Sequence, residues 1–250
     1  MNNLTASYKN NFIEAVILAN KELYTYINKN LSLNDYEYTN TTGFGGDNSL
    51  KMDLIAENIF IKYLENFGNI YSEECGLLNT NKEFTIVIDP LDGSNNFYSS
   101  LPYYGTSVAL QKDGVVIAGF VTNLITGVIT YRAFDSEINY FSLLKEKEIT
   151  PLYVNKTKIS VFERAYEYPL ICQKLSENSI KFRSLGAVAL SLCDAPNYDF
   201  VLYCGKIREF DIAASLYICK NLFIYKTKKV LLISQDKIRF ELIKEIINEV

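Results

Sequence analysis

Two aspartates three positions apart stand in the run Asp89-Pro90-Leu91-Asp92-Gly93-Ser94-Asn95-Asn96-Phe97. Directly before them lies the apolar stretch Phe84-Thr85-Ile86-Val87-Ile88, which reads as a buried strand. The carboxylates therefore fall at the carboxyl end of a strand, where ligands gather in open α/β sheets. Carboxylate and carbonyl oxygens suit a hard divalent cation. A glycine beside them lets the backbone approach an anion closely. Asp-Pro and Asp-Gly are also ordinary turn dipeptides, so the pair alone does not separate a metal site from a turn. A calcium loop opening at Asp89 would need a glutamate at its twelfth position, where Ser100 stands.

Composition narrows the chemistry. The chain has 250 residues, 48% of them hydrophobic, enough for a sizeable core. It contains no histidine, which removes serine–histidine triads, histidine bases and histidine-bound zinc. Catalysis then falls to carboxylates, hydroxyls, backbone groups or water on a metal, and this favours an all-oxygen magnesium site. A net charge of −4 argues against general nucleic-acid binding. Five scattered cysteines without a Cys-x-x-Cys pair read as reduced thiols in a cytoplasmic protein. Cys204 is the one near the expected site, where its simplest role is a small apolar filler. No signal peptide is read at the N-terminus, and no apolar run approaches membrane-span length.

The elements that must position these residues follow from the hydrophobic pattern. Phe12, Val16, Ile17, Leu23 and Ile27 mark one amphipathic helix over residues 5–29. Residues 41–50 form a glycine-rich loop, either a connector or a flap over a site. A helix is expected over 53–66 and strands at 70–72 and 84–88. An antiparallel meander follows over 104–111, 115–123 and 127–133, with a hairpin turn at Asp113-Gly114. Short strands and a solvated Lys/Glu-rich loop are expected over 136–160. Helices are expected over 162–176, 186–194 and 211–220, a strand over 199–203, two short strands, and a terminal helix over 236–249. Asp53 and Asp211 each suit a helix N-cap. Asn95 and Asn96 suit local turn hydrogen bonds. The mixture fits an α+β or α/β layered fold.

The nine-residue run resembles the signature of the inositol monophosphatase family, Asp-Pro-hydrophobic-Asp-Gly-(Thr/Ser)-x-Asn-Phe. Ser72-Glu73-Glu74, Asp53-Leu54-Ile55-Ala56-Glu57 and Asp211-Ile212-Ala213-Ala214 resemble three further family motifs, in the family's order. The resemblance implies a layered α-β-α-β-α sandwich of the sugar-phosphatase type. Its N-terminal subdomain would cover about residues 1–133 and its C-terminal subdomain about 134–250. It implies a homodimer and two or three Mg²⁺ ions, with Mn²⁺ as a substitute. Glu73, Asp89 and the Leu91 carbonyl would hold the first ion. Asp89, Asp92 and Asp211 would hold the second. A third would rest on Glu73 and, through water, Asp53. Glu73 and the Ser94 hydroxyl would position the attacking water, and the amides of Gly93 and Ser94 would bind phosphate.

Gly205-Lys206-Ile207-Arg208-Glu209-Phe210-Asp211 resembles the basic segment of archaeal members acting on both inositol monophosphate and fructose 1,6-bisphosphate. Lys206 and Arg208 are candidates for a second phosphate, against a plain surface-charge role. Gly186 and Ala187 are candidates for backbone contact with substrate. The alternatives are an adenosine 3′,5′-bisphosphate nucleotidase and a catalytically silent phosphate- or metal-binding relative. The chain departs from the family at Asn48-Ser49-Leu50-Lys51-Met52, at Phe210, and at Lys220-Asn221-Leu222-Phe223.

Overall fold

A computed structural model describes residues 4–79, 81–152 and 159–249. Helix α1 (Ala6–Lys29) opens on Thr5, whose Oγ1 accepts the Tyr8 amide at 3.1 Å. Within the expected glycine-rich loop the structure has a hairpin, β1 (Tyr38–Thr42) and β2 (Asn48–Leu50), so that only residues 43–47 form its turn. Then come α2 (Lys51–Leu64), β3 (Asn69–Ser72), β4 (Gly76–Leu78), β5 (Phe84–Asp92) and the short α3 (Ser94–Tyr98). The meander is β6 (Gly105–Lys112), β7 (Val115–Asn123) and β8 (Val128–Ala133), extended by β9 (Asn139–Ser142) and β10 (Lys147–Glu148).

The second half holds β11 (Ser160–Glu163), α4 (Pro169–Glu177), β12 (Phe182–Arg183), α5 (Val188–Cys193) and β13 (Val201–Cys204). It ends with α6 (Glu209–Ile218), β14 (Phe223–Lys226), β15 (Val230–Ser234) and α7 (Lys237–Asn248). The helix expected over 162–176 is corrected. Its first residues are strand β11, buried between β12 and β13, and Arg164 turns the chain at φ 60°. The helix starts only at Pro169, a residue suited to a first helical position because its missing N–H would have had no acceptor there.

Among the described residues, β10-β9-β8-β7-β6-β5-β3-β4 form one sheet and β12-β11-β13-β15-β14 another. The expected division near residue 133 falls inside the first sheet, between β8 and β9. Three apolar layers set the stacking. In the first, α1 and α2 pack Phe12, Val16, Phe60 and Leu64 against Ile86, Ile88, Val108 and Phe120. In the second, α5 and α6 lie between the sheets, touching Val87, Ala109 and Val121 on one side and Val201, Leu231 and Ile233 on the other. In the third, α4 and α7 cover Phe162, Leu202 and Leu232. Alternate residues of one strand thus serve opposite layers, as the two-residue period of a strand requires. The order is α-β-α-β-α, the expected sandwich. Cys204 is buried in the third layer with its thiol pushed up to about 12 by burial, which fits apolar filling.

The seat of α6 depends on small residues. A Cβ on Gly119 of β7 would come within 2.6 Å of the Ala214 carbonyl oxygen, so the helix backbone rests directly on the strand. Gly119→Ala is expected to lower stability by about 1–3 kcal/mol, because a rigid helix must move to admit one methyl group. Urea unfolding checks this. An unchanged midpoint at unchanged m-value would show that α6 is not held by this contact.

Candidate active site

Strand pairing brings the first carboxylates together. β3 runs parallel to β5, and the Glu73 amide continues the ladder to the Ile88 carbonyl at 3.1 Å. Glu73 therefore leaves its strand beside Asp89. Pro90 has no amide to give to β6, and the β5–β6 register shifts between Asp89 and Asp92. The chain turns there. The Leu91 amide bonds Asp89 Oδ1 at 3.1 Å, and the Leu91 carbonyl lies 2.9 Å from Ser94 Oγ. Gly93 at φ 90° completes the turn, where a Cβ would meet the Ala187 methyl at 3.0 Å and the Tyr103 carbonyl at 3.1 Å.

Helix α6 supplies the distal carboxylate. Its first turn is tied to β6 by Ser107 Oγ to the Phe210 carbonyl (3.1 Å) and Gln111 Nε2 to Glu209 Oε1 (2.6 Å). Asp211 is not the N-cap residue, which is Arg208. It is the third helical residue and points inward, buried. One carboxylate oxygen each from Glu73, Asp89 and Asp211 lie within 4.8 Å of one another. Asp92 is buried nearby, and its Oδ2 accepts the Leu190 amide of α5 at 2.9 Å. Asp53 is likewise not an N-cap residue. It sits in the first turn of α2, takes the Leu50 amide on Oδ2 at 2.7 Å, and faces Ser94 Oγ with Oδ1 at 2.9 Å.

So many buried acids raise one another's proton affinity. Burial and then neighbouring carboxylates lift Asp89 well above the usual carboxylate range. Burial is also the first cause at Glu73 (about 8), Asp92 (about 7), Glu74 (about 7) and Asp53 (about 6). The positive charge of Arg208 opposes the rise at Glu73, Asp89 and Asp211. An all-oxygen donor set that needs positive charge fits a hard divalent cation.

The glycine-rich turn lies against this cluster. The amides of Phe44 and Gly45 bond the carbonyls of Glu74 (2.9 Å) and Glu73 (2.7 Å). A Cβ on Gly45 would come within 2.7 Å of Glu73 Cγ, so side chains are excluded there. Glu74 takes the Ser49 hydroxyl and braces the hairpin.

The remaining expected residues divide. Gly186 gives its amide to Glu163 Oε2 at 2.9 Å, and Ala187 is fully buried against the motif turn. Lys206 is exposed on the wall of a cleft of about 580 Å³, while Arg208 turns inward onto carboxylates. Asn96 does not bond locally. Its amide bridges the carbonyls of Tyr103 and Leu185, both at 2.7 Å, and so ties α3 to the α5 loop.

Nothing in the sequence singles out Glu163, because the run from residue 162 has a helical pattern while the structure makes 160–163 a strand. Glu163 is buried, and besides Gly186 it accepts the Ser191 hydroxyl at 2.5 Å. It thereby fixes the loop before α5, whose first turn holds Asp92. Arg164 and Tyr203, also unforeseen, line the same cleft.

Known proteins resemble this arrangement. The sequence profile of the inositol monophosphatase family matches residues 21–222. A fructose-1,6-bisphosphatase/inositol-1-monophosphatase of Methanocaldococcus jannaschii is 29% identical over 89% of this chain and 84% of its own length. One from Methanothermobacter thermautotrophicus is 33% identical over 72% of this chain and 70% of its own. The crystal structure of an inositol monophosphatase–fructose 1,6-bisphosphatase superposes with a TM-score of 0.78 at 23% identity, covering 94% of this chain and 99% of the other. On the profile match across most of the chain, this protein, whose four motifs meet through the Glu73–Asp89–Asp211 cluster and the Ser94–Asp53 hydrogen bond, belongs to the inositol monophosphatase family.

Proposed function

We propose that this phosphoric monoester hydrolase cleaves a phosphorylated sugar or polyol, fructose 1,6-bisphosphate or inositol 1-phosphate, with two or three Mg²⁺ ions that Mn²⁺ can replace. The observation that carries the reading is the convergence of Glu73, Asp89 and Asp211 on the strand end that leads into the turn at Gly93 and Ser94. The family is metal-dependent, and the acidic cluster is its counterpart in this chain.

Glu73, Asp89 and the Leu91 carbonyl would hold one ion. Asp89, Asp92 and Asp211 would hold another. Glu73, with Asp53 through water, would hold a weaker third. When bound, such ions supply Lewis-acid charge to the phosphoryl oxygens and make water a nucleophile near neutral pH. The chain's own residues do the positioning. Asp53 is anchored by Leu50 and accepts the Ser94 proton, which leaves the Ser94 oxygen to accept from a water and aim it. The amides of Gly93 and Ser94 open a helix, have no acceptor within it, and suit phosphate oxygens. Lys206, on the outer wall, suits a second anionic group on a bisphosphate. No described helix is long and apolar enough to cross a membrane. We place the enzyme in the cytoplasm on the free state of all five cysteines, and we expect a homodimer from its family.

Three outcomes follow. Phosphate release from fructose 1,6-bisphosphate and inositol 1-phosphate should need added Mg²⁺, vanish in excess chelator, and exceed release from adenosine 3′,5′-bisphosphate. Full turnover in chelator, or preference for the nucleotide, would contradict the reading.

Ser94→Ala should cut kcat by about 10²-fold, the scale for one positioned polar group. Metal affinity should hold, and KM should change little because the residue-94 amide remains. A normal kcat removes the hydroxyl from the mechanism.

The metal-free protein should lose stability as pH rises. Asp53, Glu73, Glu74 and Asp92 have folded values above their unfolded ones. Between those values the folded state holds more protons, so raising pH favours unfolding. The thermal midpoint in chelator should fall from roughly pH 5 to pH 8, and saturating Mg²⁺ should remove most of that slope. A midpoint that climbs with pH in chelator would contradict the assigned burial of charge.

A further inference from the structure

Arg208 is held by more carboxylates than any other cation among the described residues. Its Nε and Nη2 form a two-pronged pair with Asp211, each at 3.0 Å. Its Nη1 reaches Glu73 Oε1 and also Asp47 Oδ2, the latter at 3.0 Å. Glu73 and Asp211 are two of the three residues whose oxygens converge. The third, Asp89, is close enough for its charge to raise the proton affinity of the guanidinium. Arg208 thus sits where the buried negative charge is densest.

Asp47 has a different setting. It is exposed, at the β2 end of the β1–β2 turn, whose amides rest on the Glu73 and Glu74 carbonyls. Its bond to Arg208 joins the hairpin turn to the start of α6, and both side chains line the cleft. One side chain therefore neutralises the inner acids and fastens the loop above them. Both prongs of the fork are already used by Asp211, so the group has a defined geometry and not a diffuse attraction.

A divalent cation and this guanidinium make competing demands. Both would draw on the Glu73 and Asp211 carboxylates, and their like charges repel at short separations in a partly buried site.

We propose that Arg208 is a built-in latch. In the metal-free enzyme its guanidinium takes the place of a cation between Glu73 and Asp211 and ties the Asp47 turn across the cleft, and a divalent ion enters by displacing it. The inference rests on the metal-dependent reading above. The latch gives the acids a counter-ion of the chain's own, so they remain assembled without metal, and it sets a threshold for metal entry. Once freed, the side chain lies at the mouth that a phosphorylated substrate must pass.

The test is metal binding, read without turnover. Mn²⁺ is titrated into chelator-stripped wild type and Arg208→Gln, with free ion followed by electron paramagnetic resonance and unfolding midpoints measured in chelator. Arg208→Gln should bind its first Mn²⁺ at least about ten-fold more tightly, since a competing charge is gone, and should unfold at a lower temperature without metal. Arg208→Lys keeps the charge but cannot fork, so its affinity should fall between the two; it also serves if the glutamine variant folds poorly. Asp47→Asn frees the turn but leaves the guanidinium on Glu73 and Asp211, and should shift affinity far less. Equal or weaker binding by Arg208→Gln would overturn the latch while leaving the metal site intact. No Mn²⁺ binding by wild type or variant at millimolar ion would overturn the latch together with the metal reading.

Discussion

Several carboxylates must stay buried and close together, and this constraint governs the site and the packing around it. Glu73, Asp89 and Asp211 converge, with Asp92 and Asp53 beside them. Like charges in a low-dielectric setting resist ionisation, and a buried unpaired charge is costly. The chain meets that cost with directed hydrogen bonds. Asp89 takes an amide from Leu91, Asp92 from Leu190 and Asp53 from Leu50, while Arg208 grips Asp211 and Glu73. The acids come from α2, the end of β3, β5 and α6, so no single local segment makes the site.

The five layers exist in a form that lets those elements meet. The parallel pairing of β3 with β5 sets Glu73 beside Asp89. Gly119 lets α6 lie against β7 closely enough to deliver Asp211 to the same point. On the far side, Glu163 and Asn96 hold the 185–186 loop, and that loop sets the first turn of α5 against Asp92. These contacts join residues distant in sequence. A change in the second sheet can therefore alter the site while touching no acid.

Much of this was legible in the chain. The alternation of Val87 against Ile86 and Ile88 reads as a strand buried on both faces, and the α1 stripe and the meander stand out by period alone. The carboxylates could be placed because they occur in recognisable local motifs. What stayed hidden was non-local. The run from Phe162 onward has helical composition, yet parallel partners on both sides make its first residues a strand, and Glu163 was lost with it. Asp53 and Asp211 look like N-cap residues, but each is the third residue of its helix: Asp53 reaches back to the Leu50 amide and across to Ser94, and Asp211 lines the cleft. Asn96 looks like a turn residue and instead bridges to a carbonyl 89 positions away. Arg208 reads as a cation for a second phosphate or as plain surface charge, because nothing in its sequence neighbourhood reveals that Glu73 and Asp47 lie opposite.

The central claim is that the fold assembles Glu73, Asp89 and Asp211 to receive a divalent cation. Anomalous diffraction from a crystal soaked in Mn²⁺ tests it most directly, because it locates the ion without relying on turnover. The account predicts a strong anomalous peak within bonding distance of Asp89 and of at least one of Glu73 and Asp211, with the Arg208 guanidinium moved off those oxygens. A crystal saturated with Mn²⁺ that shows no peak there, and Arg208 still clasped to Asp211 and Glu73, would contradict it.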